Sequence, residues 1–131
     1  IYTDASTDAP TASGLRIGIL IICSAGQFVD VVDIPTWVID TWNDRKTYIG
    51  IAELLAVPIL ASCCPEFLRE VYAVWFIDNQ AALCALVKAA SSAQDISVLA
   101  LLMNLTCLKL GIRAWYEWVP TKQNLSDPLS R

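Results

Sequence analysis

The sequence predicts an α/β domain: a five-stranded mixed sheet, three strands in an antiparallel meander and two parallel, flanked by helices in the order β-β-β-α-β-α-α-β-α. Two observations predict it. β-rich runs crowd the first third of the chain, and helix-periodic stretches then alternate with apolar, β-branched runs. A third observation bounds it. The chain has 131 residues, 56% of them hydrophobic and 17% charged, which suits one sizeable core and excludes a disordered linker.

Residues 1–6 read as a short strand. Residues 15–23 and 27–34 are two β-rich runs separated by Ser24-Ala25-Gly26, a hairpin signal. Pro35 to Thr47 is polar enough to be a connecting loop. From Ile49 to Ala61 apolar residues recur at helical spacing, with Pro58 expected to end or kink the helix. Val71 to Ile77 is a continuous apolar run, which predicts a strand covered on both faces. Helices are predicted over Asn79–Ala90 and Asp95–Leu110, the second ended by Gly111. Ile112 to Val119 is a last strand, and Pro120 to Arg131 a polar loop leading into a helical turn.

The longest apolar run, within Ile17–Cys23, falls far short of the ~20 residues of a membrane helix, so no membrane span is expected. The chain opens on strand-like Ile1-Tyr2-Thr3-Asp4, with neither Met nor a basic leader. That favours a single domain excised from a longer polypeptide, with no secretory signal. Net charge is −4, so nucleic acid would have to be held through a local patch, a metal ion or a neighbouring domain. Without histidine, Ser-His and Cys-His catalysis and the usual zinc sites are excluded. The five cysteines form no C-x-x-C pair, which favours a reduced, intracellular protein of the cytoplasm or nucleus. Cys84 and Cys107 are expected in the core.

Four acids fall where an acid is awkward. Asp4 lies in a strand, Glu53 among apolar residues of a helix, Asp78 at the end of an apolar strand, and Asp127 before Pro128 at the terminal helical turn. Carboxylates drawn toward a core are costly unless paired or ligating a metal, and an all-oxygen site selects a hard ion such as Mg²⁺ or Mn²⁺. Each acid alone has a simpler reading. Asp78 and Asp127 could be helix caps, and Glu53 a favourable charge near a helix N-terminus. Asp4 has no such alternative, since no helix follows it.

Four segments carry these acids. They are Tyr2-Thr3-Asp4-Ala5-Ser6, Ile51-Ala52-Glu53-Leu54-Leu55-Ala56, Phe76-Ile77-Asp78-Asn79-Gln80-Ala81-Ala82, and Val119 to Arg131 with Asn124-Leu125-Ser126-Asp127-Pro128-Leu129-Ser130-Arg131 at its end. Together, and in this order, they resemble the type 1 ribonuclease H domain, in particular the version attached to retroelement reverse transcriptases. The resemblance spans essentially the whole chain. It implies a ribonuclease H-like fold, an Asp-Glu-Asp-Asp tetrad at Asp4, Glu53, Asp78 and Asp127, and hydrolysis of the RNA strand of an RNA–DNA hybrid. It also implies two Mg²⁺ ions about 4 Å apart, bridged by Asp4 and Asp78. Glu53 would serve the leaving-group side and Asp127 the attacking water. Ser6, Asn79 and Gln80 correspond to hybrid-contacting positions, where short polar groups suit a 2′-hydroxyl, though ordinary turn polarity explains them equally.

The chain also departs from the pattern. The loop before the last acid, Thr121-Lys122-Gln123-Asn124, lacks the histidine many members carry there, which is expected to slow turnover without abolishing it. Lys122 could contact phosphate or be a solvated loop charge. The basic helix and loop of the cellular enzymes are missing, the connection being only Ala89 to Gln94. Hybrid affinity is therefore expected to come from an upstream polymerase domain of the same polyprotein. The five tryptophans lack interleaved basic residues and are expected in the core or at subunit contacts. Asp30, Asp33, Asp40 and Asp44 read as a solvated rim. Two rivals remain: a non-catalytic connection or nucleic-acid tether in a degenerate element, and a related nuclease such as an integrase or 3′–5′ exonuclease.

Overall fold

The computed structural model describes residues 1–131. Three strands open the chain: β1 (Tyr2–Ser6), β2 (Arg16–Cys23) and β3 (Gly26–Asp33). They form the expected antiparallel meander, with Asp4 opposite Gly18 and a tight turn from Cys23 to Gly26. After a one-turn helix α1 (Thr36–Ile39) come α2 (Ile49–Cys63), a one-turn α3 (Pro65–Leu68) and β4 (Tyr72–Ile77). Helices α4 (Gln80–Lys88) and α5 (Gln94–Leu110) lead to β5 (Arg113–Trp118). A 3₁₀ turn at Thr121–Gln123 and a short α6 (Asp127–Ser130) close the chain.

The sheet order is β3-β2-β1-β4-β5, with β1·β4 and β4·β5 parallel and the other pairs antiparallel. This is the mixed α/β layout expected of a ribonuclease H-like fold. Its two central strands run parallel, and their carboxyl ends lead away in opposite directions: β1 to β2, and β4 through two helices to β5. Such a divergence opens a crevice at the strand ends, where α/β sheets commonly hold ligands.

The core lies between the sheet and α2, α4 and α5. Trp75 of β4, Leu54 and Val57 of α2, and Met103 of α5 are all fully buried in it. Trp75 also ties the central strands together, its Nε1 donating to Thr3 Oγ1 at 3.0 Å. Gly111, at φ 70°, ends α5 in the left-handed conformation that glycine adopts freely.

Several expectations need correction. Pro58 does not end the helix. It removes one backbone donor, but α2 runs on to Cys63 because its apolar side chains are buried on both sides of the proline. β4 is not doubly covered: Ala73, Trp75 and Ile77 are buried, but Tyr72 is 79% and Val74 47% exposed. Cys84 is exposed and only Cys107 is in the core; all five cysteines are free. Of the tryptophans only Trp75 is buried, and Trp37 and Trp115 are more than half exposed, so of the two places expected for them, core or subunit contact, the core holds only Trp75. No helix is long and apolar enough to cross a membrane.

Glycine at position 18 is what lets α6 reach the sheet. A Cβ there would lie 2.7 Å from Leu129 Cβ and 2.8 Å from both Ser126 O and Ser130 N. Gly18→Val should therefore lower stability by roughly 1–3 kcal/mol, as overpacking does, measured by denaturant unfolding. An unchanged midpoint would mean that α6 is not packed on β2.

Candidate active site

Asp4 is the middle residue of β1, and Glu53 lies beyond the first turn of α2. Both are buried. Asp78 directly follows β4 and Asp127 opens α6, each half-buried. All four line one open pocket of about 330 Å³ at the carboxyl ends of β1 and β4. Within it, carboxylate oxygens of Asp4, Glu53 and Asp78 lie within 4.8 Å of one another. Asp127 stands at the rim, outside that triad, in an ion pair with Arg131 (Nη2 to Oδ1, 2.8 Å).

The simpler roles for these acids do not hold. Helix α4 is capped by Asn79, whose Oδ1 accepts from the backbone N–H groups of Ala81 and Ala82 at 3.0 and 3.1 Å, so Asp78 is not its cap. Glu53 sits past the turn in which a helix dipole acts strongly, and the first turn of α2 holds no acid. Asp127 is the first residue of α6 and not its cap, that position being Ser126 with no side-chain capping bond, and its carboxylate is engaged by the Arg131 guanidinium.

Glycine again permits the approach. A Cβ on Gly50 would sit 3.0 Å from Asn79 Nδ2, so the start of α2 can lie against the β4–α4 junction and bring Glu53 to Asp78.

Burial drives the Glu53 carboxyl up to about 9, and the charges of Asp78 and Asp4 push the same way. Burial also raises Asp4 to about 6; the Ser130 hydroxyl opposes this rise, while Asp78 and Asp127 add to it. Two acceptors, Glu53 Oε2 and Asp78 Oδ1, are buried with no hydrogen-bond partner. Orphaned buried oxygens call for a compensating group. The surrounding donor set, carboxylate oxygens without nitrogen or sulfur, fits a hard divalent cation such as Mg²⁺ or Mn²⁺.

Of the polar residues expected to touch nucleic acid, Ser6 and Asn79 line the pocket. Gln80 and Lys122 do not; they are exposed beside it, on the first residue of α4 and on the 3₁₀ turn. Asp30, Asp33, Asp40 and Asp44 are exposed and do not line this pocket, and Asp33 pairs with Arg16. Asp8, Thr121, Ser130 and Arg131 also line the pocket without having been singled out in the sequence. Arg131 was legible, since a base four residues after an acid on a helix lies over it.

Neither a scan against protein-family models nor a search of the curated proteins found a match to this chain. What the site can do therefore follows from its own residues.

Glu53 and Asp4 hold protons in the folded state that the unfolded chain releases near its ordinary values of 4.5 and 3.8. For a carboxyl raised on folding, stability falls as pH rises from the unfolded toward the folded pKa. Without divalent ions, thermal stability should fall from about pH 5 to about pH 9 through Glu53, the Asp4 part being complete just above about 6. Because a cation replaces those protons, added Mg²⁺ should raise the melting temperature more at the alkaline end. Calorimetry across that range with and without Mg²⁺ checks both. A Mg²⁺ effect that does not grow with pH would rule out these carboxylates as its ligands.

Proposed function

We propose that this chain is a type 1 ribonuclease H domain, a metal-dependent endonuclease that hydrolyses the RNA strand of RNA–DNA hybrids in a retroelement reverse transcriptase. The observation that carries the reading is the meeting of Asp4, Glu53 and Asp78 in one open pocket, with two of their oxygens unpartnered and Asp127 at the rim. These acids come from the middle of β1, the end of β4 and two helices, spread over the whole chain. Four unrelated surface acids have no physical reason to converge there at the expense of burial.

In this reading Asp4, Glu53 and Asp78 hold two Mg²⁺ ions, Mn²⁺ being an alternative, with Asp127 completing the set from α6. Divalent ions so held supply a lowered pKa for the attacking water and neutralise charge on the departing oxygen. The chain's own residues then decide where the hybrid lies. Ser6 ends β1 at the pocket edge with a hydroxyl able to meet a 2′-hydroxyl. Asn79 has spent its Oδ1 on capping α4, so it offers only its Nδ2 as a donor. Gln80 and Lys122, exposed next to the pocket, suit contacts farther along the hybrid.

The same reading assigns hybrid affinity mainly to an upstream polymerase domain. The pocket's only basic lining residue, Arg131, is paired with Asp127, the net charge is −4, and α4 and α5 are joined by only Ala89–Ala93. Hybrid binding by this domain should be weak and fall further as salt rises. Gel-shift titrations at low and physiological salt test that, and tight binding at the higher salt would remove the need for a partner domain.

The direct test is cleavage of a labelled RNA–DNA hybrid with Mg²⁺. The native domain should cut the RNA strand, and Asp78→Asn should lose on the order of 100-fold or more. Outer-shell changes alone commonly cost 10–100-fold at metal sites. No Mg²⁺-dependent cut by the native domain would favour a passive tether. A cut confined to free DNA ends would favour an exonuclease.

A further inference from the structure

The three acids of the triad do not all stand in the same surroundings. Glu53 Oε2 and Asp78 Oδ1 lack partners, but Asp4 is held: the Ser130 hydroxyl donates to its Oδ2 at 2.5 Å. Ser130 is fully buried, and its Oγ also lies 3.1 Å from the backbone carbonyl of Asp127. One residue thus touches the central acid of β1 and the backbone of the rim acid on α6.

The contact is fixed from both sides. Asn124, 3% exposed, donates from Nδ2 to the Thr3 carbonyl at 2.9 Å, fastening the last loop to β1 one residue before Asp4. Ser126, fully buried, donates through Oγ to Asn124 Oδ1 at 2.7 Å. Gly18 clears the space in which α6 lies. A hydroxyl so enclosed has little rotational freedom. Its bond to a carboxylate is of the stronger, charge-assisted kind.

We propose that Ser130 is a positioning residue of the metal site: its hydroxyl holds Asp4 by Oδ2, leaving Oδ1 for the cation, and sets Asp127 at a fixed distance from Asp4. This rests on the reading of the acids as cation ligands. Ser130 itself is not a ligand. It narrows the Asp4 rotamers to one compatible with sharing an ion, so the cation need not order that side chain as it binds.

The experiment compares Mn²⁺ binding, by isothermal titration calorimetry, in the native protein, Ser130→Ala, Ser130→Cys and Ser97→Ala, beside hybrid-cleavage kinetics. Ser130→Ala should weaken Mn²⁺ binding on the order of 10-fold and lower kcat at limiting metal, with KM for hybrid unchanged. Ser130→Cys keeps the side chain's size but supplies only a weak donor; it should fall between, and it serves should the alanine variant not fold. Ser97→Ala loses the hydrogen bonds that join the start of α5 to Ser91 but lies outside the pocket and touches no carboxylate. It should lower the melting temperature while leaving Mn²⁺ affinity within about twofold, well short of a lost outer-shell contact.

Unchanged affinity in the Ser130 variants, or an equal loss in Ser97→Ala, overturns the proposal. If the native protein binds Mn²⁺ and cuts no hybrid, the ribonuclease reading fails, while the Ser130 inference still stands or falls on Mn²⁺ affinity. Absence of Mn²⁺ binding by the native protein overturns both.

Discussion

Mutual repulsion among three carboxylates is the constraint around which this fold is arranged. Oxygens of Asp4, Glu53 and Asp78 lie within 4.8 Å of one another, and two of the three residues are buried. At an effective dielectric of ~20, two unit charges at that separation repel by roughly 3–4 kcal/mol. Three such pairs would amount to a large fraction of a small domain's net stability. The protein relieves this by keeping a proton on Glu53, whose carboxyl is raised to about 9. On the proposed reading a cation would take that proton's place, so charge balance and metal affinity would be one property.

The backbone makes the meeting possible by small residues at two crossings. Gly50 lets the start of α2 lie against Asn79, and Gly18 lets α6 lie on β2. Around those crossings, buried polar bonds take the place of apolar packing: Trp75 to Thr3, Asn124 to Thr3, and Ser126 to Asn124. Thr3 is therefore held through both its side chain and its carbonyl, one residue from Asp4. Rigidity beside the central acid is thus supplied by neighbours that carry no charge, and they add nothing to the repulsion.

Much of this was legible in the chain. The order of elements follows from apolar periodicity and turn residues, because each strand and helix buries a side and that burial leaves its spacing in the sequence. The convergence of Asp4, Glu53, Asp78 and Asp127 could be anticipated from acids standing at positions that disfavour them. Ser130 was not legible as a functional group: a serine near a chain's last turn carries no signal until its hydroxyl is seen on a carboxylate. β4 misled for a related reason. Tyr72 and Val74 are as apolar as the buried Ala73 and Trp75, so composition could not show that one face of the strand lies open. Of the two outcomes expected at Pro58, the ending of the helix does not occur, because local propensity yields where an apolar helix is held by packing on both sides of the proline.

The fourth acid differs from the other three in a way that charge explains. Asp127 is the one member with a resident counter-ion: Arg131 lies one turn along α6 and contacts its carboxylate. A carboxylate so neutralised gains little by entering the triad, where it would add repulsion and lose its partner. It accordingly stands at the rim while Asp4, Glu53 and Asp78 close up. Such a pair, with the Arg131 side chain largely exposed, is worth little in water, commonly under about 1 kcal/mol. Arg131 is also the only base lining an otherwise acidic pocket. Its guanidinium therefore offsets part of the negative charge that Asp4, Glu53, Asp78 and Asp127 concentrate there.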